Sequence, residues 1–171
     1  MSYASGSSAG PEQQLNPHPS VADFGRADVT ELISFAIGAD QYGVDIMAVR
    51  EIKGWSEITH LPKQPEYVRG VLNLRGVMVP IVDLRCRFGQ GVTEATPMHI
   101  VIIVQVGDRQ VGLLADRVLD IVAFENTQVQ PVPRVAQHGR IDFLSGLLTV
   151  ESGMIALIDL QNLLALQSEA A

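Results

Sequence analysis

VRGVLNLRGVMVPIVDL, residues Val68–Leu84, sets the reading of the whole chain. Two apolar runs, Val71–Leu74 and Val77–Val82, meet at one polar break, Arg75-Gly76. Glycine reaches positive φ without a Cβ clash, so the break predicts a tight hairpin tip. Pro80 cannot donate to a ladder, so the second strand is expected to run at an edge or through a bulge there. A guanidinium is thus held at a turn between two apolar strands. On these residues alone, an ordinary surface arginine is the simpler reading.

Outward from this hairpin the pattern continues. Asp83 can cap a brief helix through Phe88, since its carboxylate can accept from the first free N–H groups. Upstream, Ile33, Phe35 and Ile37 alternate with Ser34 and Ala36, and Tyr42, Val44 and Ile46 resume the alternation after Gly38-Ala39-Asp40-Gln41, a hairpin pattern. Met47–Ile52 reads as a short helical turn before Gly54, and Leu61-Pro62 and Pro65 punctuate the connection into the central hairpin.

The second half repeats the first. Gly107, Gln110 and Gly112 stand to Gly38, Gln41 and Gly43 at 69 positions (107−38, 110−41, 112−43), and Val118 and Ile121 match Val49 and Ile52 at the same offset. Val132-Pro133 answers Leu61-Pro62. Gly146, Val150, Asp159 and Leu160 match Gly70, Leu74, Asp83 and Leu84 at 76 positions (146−70, 150−74, 159−83, 160−84). Such self-similarity marks a duplicated unit. Each half holds about five short strands, too few to bury two faces as an open sheet. Closing each into a small barrel and packing the barrels together would remove the edges. Leu160, Leu163 and Leu164 place one apolar stripe on a final helix capped by Asp159. Arg75 aligns with Glu151 and Pro80 with Ala156, while the apolar positions around them are kept in kind. The cation at the tip therefore belongs to one hairpin only, which favours a binding role for Arg75.

Composition narrows the function. A chain of 171 residues with 47% hydrophobic and only 5% aromatic residues builds its core from Val, Ile and Leu. A net charge of −7 repels phosphate backbones and argues against nucleic acid. The single Cys86 allows no internal disulfide and fits a reducing compartment. Residues 1–27, rich in Ser, Gly, Pro and Gln, read as a disordered tail without the features of a secretory signal. No apolar run is long enough to span a bilayer. His18, His60, His99 and His138 have no zinc-site spacing, and no nucleophile or phosphate-loop motif occurs. Asp83 and Asp159 read as helix caps and not as an acid/base couple, and Asp116 and Asp120 as solvent-facing. The residues point to a module that binds proteins, with no catalytic site, metal or cofactor.

Gly70–Leu84, written G-V-x-N-L-R-G-x-x-x-P-I-V-D-L, resembles the signature of the CheW family of bacterial chemotaxis coupling proteins, and the wider resemblance runs from about Glu31 to Leu166. It implies a mainly β fold of two pseudo-repeated, SH3-like five-stranded barrels packed together, with short helices and a C-terminal helix. The domain would cover residues 28–171 as two intertwined barrel subdomains, with repeats over about 31–88 and 99–166. It implies a cytoplasmic adaptor, recruited to membrane-associated receptor arrays without inserting in the membrane. Its partners would be the helical tip of a chemoreceptor (a methyl-accepting chemotaxis protein) and the histidine kinase CheA, whose regulatory domain is itself CheW-like. The receptor-binding positions carried over are Val49, Glu51, Gly70 and Arg75: Val49 as contact area, Arg75 on a receptor carboxylate, Gly70 to keep the approach clear. Val49 fits plain core packing nearly as well. An adaptor of another sensory system, such as twitching motility, and a small-barrel enzyme or ligand binder are the competing classes.

Overall fold

The alternation around Ile33 folds into an antiparallel hairpin of β1 (Val29–Ile37) and β2 (Asp40–Asp45). The computed structural model describes residues 29–133 and 143–169, so the expected tail over residues 1–27 lies outside the described residues. After a 3-10 turn at Ile46–Ala48 come β3 (Val49–Gly54), β4 (Val68–Leu74), β5 (Val77–Asp83) and the short helix α1 (Leu84–Arg87). The second half supplies β6 (Ile100–Val106), β7 (Arg109–Ala115), β8 (Arg117–Glu125), a 3-10 turn at Asn126–Gln128, β9 (Leu144–Val150), β10 (Gly153–Ile158) and helix α2 (Leu160–Glu169). The helical turn expected over Met47–Ile52 stops at Ala48. Beyond it the chain is strand, because β3 gains a ladder to β6 from Val49↔Val104 to Gly54↔Ile100. A single helical turn offers too few hydrogen bonds to compete with that ladder.

Two five-stranded sheets result, ordered β8-β1-β2-β10-β9 and β3-β6-β7-β5-β4. Here the expectation of one barrel per sequence half is corrected. Each half lends a hairpin to the other: β1–β2 joins β8–β10 as barrel I, and β6–β7 joins β3–β5 as barrel II. The exchange is made by parallel pairs, β2 with β10 and β5 with β7, which the apolar runs alone could not specify. At Pro80 the ladder to β7 has not yet begun, so β5 is locally an edge there, as proline requires.

Both sheets close the same way. After β3, Thr59 exchanges N–H···O bonds of 2.9 and 2.8 Å with Val71 of β4; after β8, Gln130 exchanges two of 2.8 Å with Leu147 of β9. Each closing strand approaches a repeat glycine. A Cβ on Gly70 would lie 2.2 Å from the Thr59 carbonyl oxygen, and one on Gly146 would lie 2.4 Å from Val129 Cγ1. The seam of each barrel thus depends on a missing side chain.

The largest core lies between the barrels. Phe35, Leu84, Ile102, Val111 and Leu113 are fully buried there, with contributions from both sheets and from Leu160, Leu163 and Leu164 of α2. Alternate residues of the same strands fill the barrels: Val79, Ile81, Val101, Ile103 and Leu114 in barrel II, and Leu32, Phe124, Leu148 and Ile155 in barrel I. The two caps are present, Asp83 accepting from Cys86 N–H at 3.3 Å and Asp159 from Asn162 N–H at 3.1 Å. Asp83 is also fully buried, taking Thr93 Oγ1 at 2.6 Å, Thr93 N–H at 2.8 Å and Arg69 at 3.1 Å. Arg87 of α1 lies 4.2 Å from the Tyr67 ring centre and 4.3 Å from that of Phe143, itself the repeat counterpart of Tyr67 (143−67 is again 76).

Asp116, expected to face solvent, is instead a joint between the barrels. Its Oδ2 accepts from the Gly38 amide at 2.7 Å and from Arg85 at 2.6 Å, and His99 lies 3.4 Å from Oδ1. Burial works against its charge, but the Gly38 amide, Arg85 and His99 outweigh it and hold the carboxyl below its ordinary value. Asp116→Asn should therefore cost about 1.5–3 kcal/mol at neutral pH, the range for hydrogen bonds to charged groups. A depressed folded-state pKa means this stability is fully present above the unfolded value of about 3.9 and fades as pH falls through the folded one. Urea unfolding of both proteins across that window should show the gap closing in acid.

Candidate functional site

Arg75 and Gly76 form the two-residue loop inside the Leu74↔Val77 pair, both with positive φ, 53° and 88°. This is the mirror-image turn whose twist suits a hairpin, and asparagine and glycine ordinarily fill it. Arginine in the left-handed region costs about 1–2 kcal/mol. Asn73 Oδ1 accepts from the Gly76 amide at 2.9 Å and tightens the loop. At the repeat hairpin neither Glu151 nor Ser152 has positive φ. The two tips therefore differ in backbone as well as in charge.

The guanidinium is not alone. Glu51 Oε2 accepts from Arg75 Nη2 at 2.5 Å and from Nη1 at 3.2 Å. This clasp spans the seam of barrel II, joining β3 to the tip of the β4–β5 hairpin. Arg75 remains 70% exposed and Glu51 26%. At such exposure the pair contributes only about 0.2–1 kcal/mol. Both arginine contacts fall on one carboxylate oxygen, so the guanidinium keeps further N–H donors turned to solvent.

A β-bulge makes the clasp possible. Val49 pairs with Val104 and Glu51 with Ile103, leaving Arg50 as the extra residue. Paired residues share a face, so Val49 turns toward the inter-barrel core with Val104, while Glu51 turns to the side of Ile103, the barrel II interior. Ile52, paired with Ile102, shares the face of Val49 but is 40% exposed. Of the four positions singled out in the sequence, Glu51 and Arg75 meet directly. Val49 is half-buried and packs on the inter-barrel core. Gly70 is buried at φ 144° against Thr59, a place set by closure of the barrel. Sequence reasoning missed the Glu51–Arg75 pair, because the bulge that aims Glu51 has no residue signature. Ile52 could have been found from its apolar character between the charged Glu51 and Lys53.

Burial, with the carboxylates of Glu66 and Asp83, pushes the Cys86 thiol above its ordinary value, which disfavours the thiolate. Among the described residues no group of His, Cys, Asp and Glu is placed to hold a metal ion, and no helix is long and apolar enough to cross a membrane.

The family model described as the CheW-like domain matches residues 31–168. The chain belongs to the CheW family. It is 45% identical over 132 residues to the chemotaxis protein CheW of Rhizobium meliloti (strain 1021), covering 77% of this chain and 85% of that protein. To the chemotaxis protein CheW of Klebsiella aerogenes it is 36% identical over 140 residues, covering 82% and 84%. The crystal structure of the scaffolding protein TtCheW from Thermoanaerobacter tengcongensis superposes with a TM-score of 0.71 at 28% identity, covering 87% of this chain and 91% of that one. This CheW-family chain is a chemotaxis scaffold adaptor.

Arg75→Gly and Arg75→Ala both remove the clasp but only the first relieves the left-handed backbone, so the glycine variant should be more stable by about 1 kcal/mol in urea unfolding. Gly70→Ala forces a Cβ onto the Thr59 carbonyl and should destabilise the fold by about 3 kcal/mol, the upper end for overpacking. A Gly70→Ala protein with an unchanged unfolding midpoint would show that the seam can open freely.

Proposed function

We propose that this chain couples the cytoplasmic tip of a chemoreceptor to the histidine kinase CheA, and that the receptor docks beside the Glu51–Arg75 clasp. The observation that carries the site is a 70% exposed guanidinium at a strained turn, steadied from one side by Glu51. A receptor helix lying along the junction of the barrels would cover the exposed part of Ile52 and Val49, in the manner of an amphipathic helix in an apolar groove. A carboxylate on that helix would take the outward N–H groups of Arg75 bidentately. Glu51 acts through Arg75, holding it where the receptor arrives. Gly70 acts at one remove, by letting the seam close. The kinase contact falls to a barrel end, and the assembly places a cytoplasmic protein at membrane-associated receptor arrays through several modest interfaces. Signal passes as a shift between arrangements of the partners, with no chemistry on this chain.

The test is capture of a soluble receptor hairpin by folded variants. Arg75→Ala should weaken capture about tenfold or more, the loss of hydrogen bonds to a charged group. Glu51→Gln, which keeps the size and removes the charge, should cost less than Arg75→Ala, and Ile52→Asp should also weaken capture. Unchanged capture by a folded Arg75→Ala protein would overturn the assignment of the site.

A further inference from the structure

Barrel I carries the same seam as barrel II but lacks its clasp. The repeat places Asp120 where barrel II has Glu51 (120−51 is 69) and Glu151 where it has Arg75 (151−75 is 76). The bulge is repeated as well. Phe35 pairs with Val118 and Ser34 with Asp120, leaving Leu119 as the extra residue, the counterpart of Arg50. Asp120 is thereby aimed to the side of the buried Ser34, as Glu51 is aimed to the side of Ile103. Two carboxylates now face a seam that in barrel II holds one acid and one base. Between them lies an open cleft of about 550 Å³, walled by Leu119, Val122, Val150 and Ile155. Among the described residues neither the Asp120 nor the Glu151 side chain has a hydrogen-bond or ion-pair partner.

We infer that this cleft is a docking site for an arginine side chain on a partner protein. The partner supplies in trans the guanidinium that barrel II supplies from its own hairpin. An arginine fits both parts of the cleft: its methylene stem lies on the valine and isoleucine walls, and its planar head forks to two carboxylates. A small hydrated metal ion would gain nothing from those apolar walls. The site belongs to the other barrel from Arg75 and stands independently of the receptor assignment.

The probe is the tetrapeptide acetyl-Leu-Arg-Gly-Val-amide, the sequence of the chain's own clasping tip, compared with its neutral citrulline analogue. Titrated into isotopically labelled full-length protein, the arginine peptide should move the amide signals of Leu119, Asp120, Glu151 and Ser152. Asp120→Asn combined with Glu151→Gln should weaken that response about tenfold or more. A second variant tests the geometry without a ligand. Glu151→Arg should clasp Asp120 in cis, abolish the peptide response and raise the unfolding midpoint, and adding Asp120→Asn should cancel the gain. Equal shifts with the citrulline peptide would assign the cleft to apolar segments and overturn the inference. So would a Glu151→Arg protein whose stability and peptide response are both unchanged.

Discussion

The apolar contact between the barrels is what the rest of the molecule depends on. Among the described residues it gathers eighteen buried side chains, against five inside barrel II and four inside barrel I. At about 1.5–3 kcal/mol for each large side chain buried, neither barrel interior can rival it. A five-stranded barrel of this width has little room within. Gly43 and Gly112 show how little: a Cβ on Gly112 would fall 2.5 Å from Ile81 Cδ1, and one on Gly43 3.0 Å from Leu32 Cδ1. The outer faces of the strands must therefore find each other. The stretches Leu32–Ile37 of β1, Val101–Val104 of β6 and Val111–Ala115 of β7 are buried on both faces for that reason, and Ser34 is the one polar side chain in them.

The proposed binding face follows from this arrangement. Once the inter-barrel core fixes β3 by its Val49 side, a single extra residue at Arg50 sends Glu51 to the opposite side, toward the seam. There it meets the one hairpin tip that carries a cation. The site is thus assembled from a core contact, a bulge and a turn, none of which is spent on recognition by itself. Arg75 bears its unfavourable backbone because Asn73, Gly76 and Glu51 over-determine its place, the condition under which such strain persists.

Much of this was legible beforehand. The hairpins, the duplicated pattern, the caps Asp83 and Asp159, the leucine stripe of α2 and the position of Arg75 at a tip are all local, and local chemistry is written in adjacent residues. The exchange of hairpins between halves was not legible in the residues, and only the family resemblance implied intertwined subdomains. A parallel pairing such as Ile81↔Gly112 leaves no mark in either strand that names its partner. Met47–Ile52 was misread because a short segment with mixed periodicity is decided by the ladder waiting for it. Asp116 was misplaced because its three partners come from β1–β2, α1 and the approach to β6. Long-range polar joints of this kind are invisible to spacing.

The exchange of hairpins also orders events during synthesis. Barrel II is one continuous stretch, Val49 to Ala115, whereas barrel I unites Val29–Asp45 with Arg117–Ile158. As the chain leaves the ribosome, β1 and β2 emerge first yet have no sheet to join until β8 to β10 follow. Their apolar faces, Ile33, Phe35 and Ile37 among them, pack on side chains of barrel II, the stretch made next. Barrel II can therefore offer that hairpin an apolar surface while its edge partners are still to come, an advantage in a fold whose pairings are non-local.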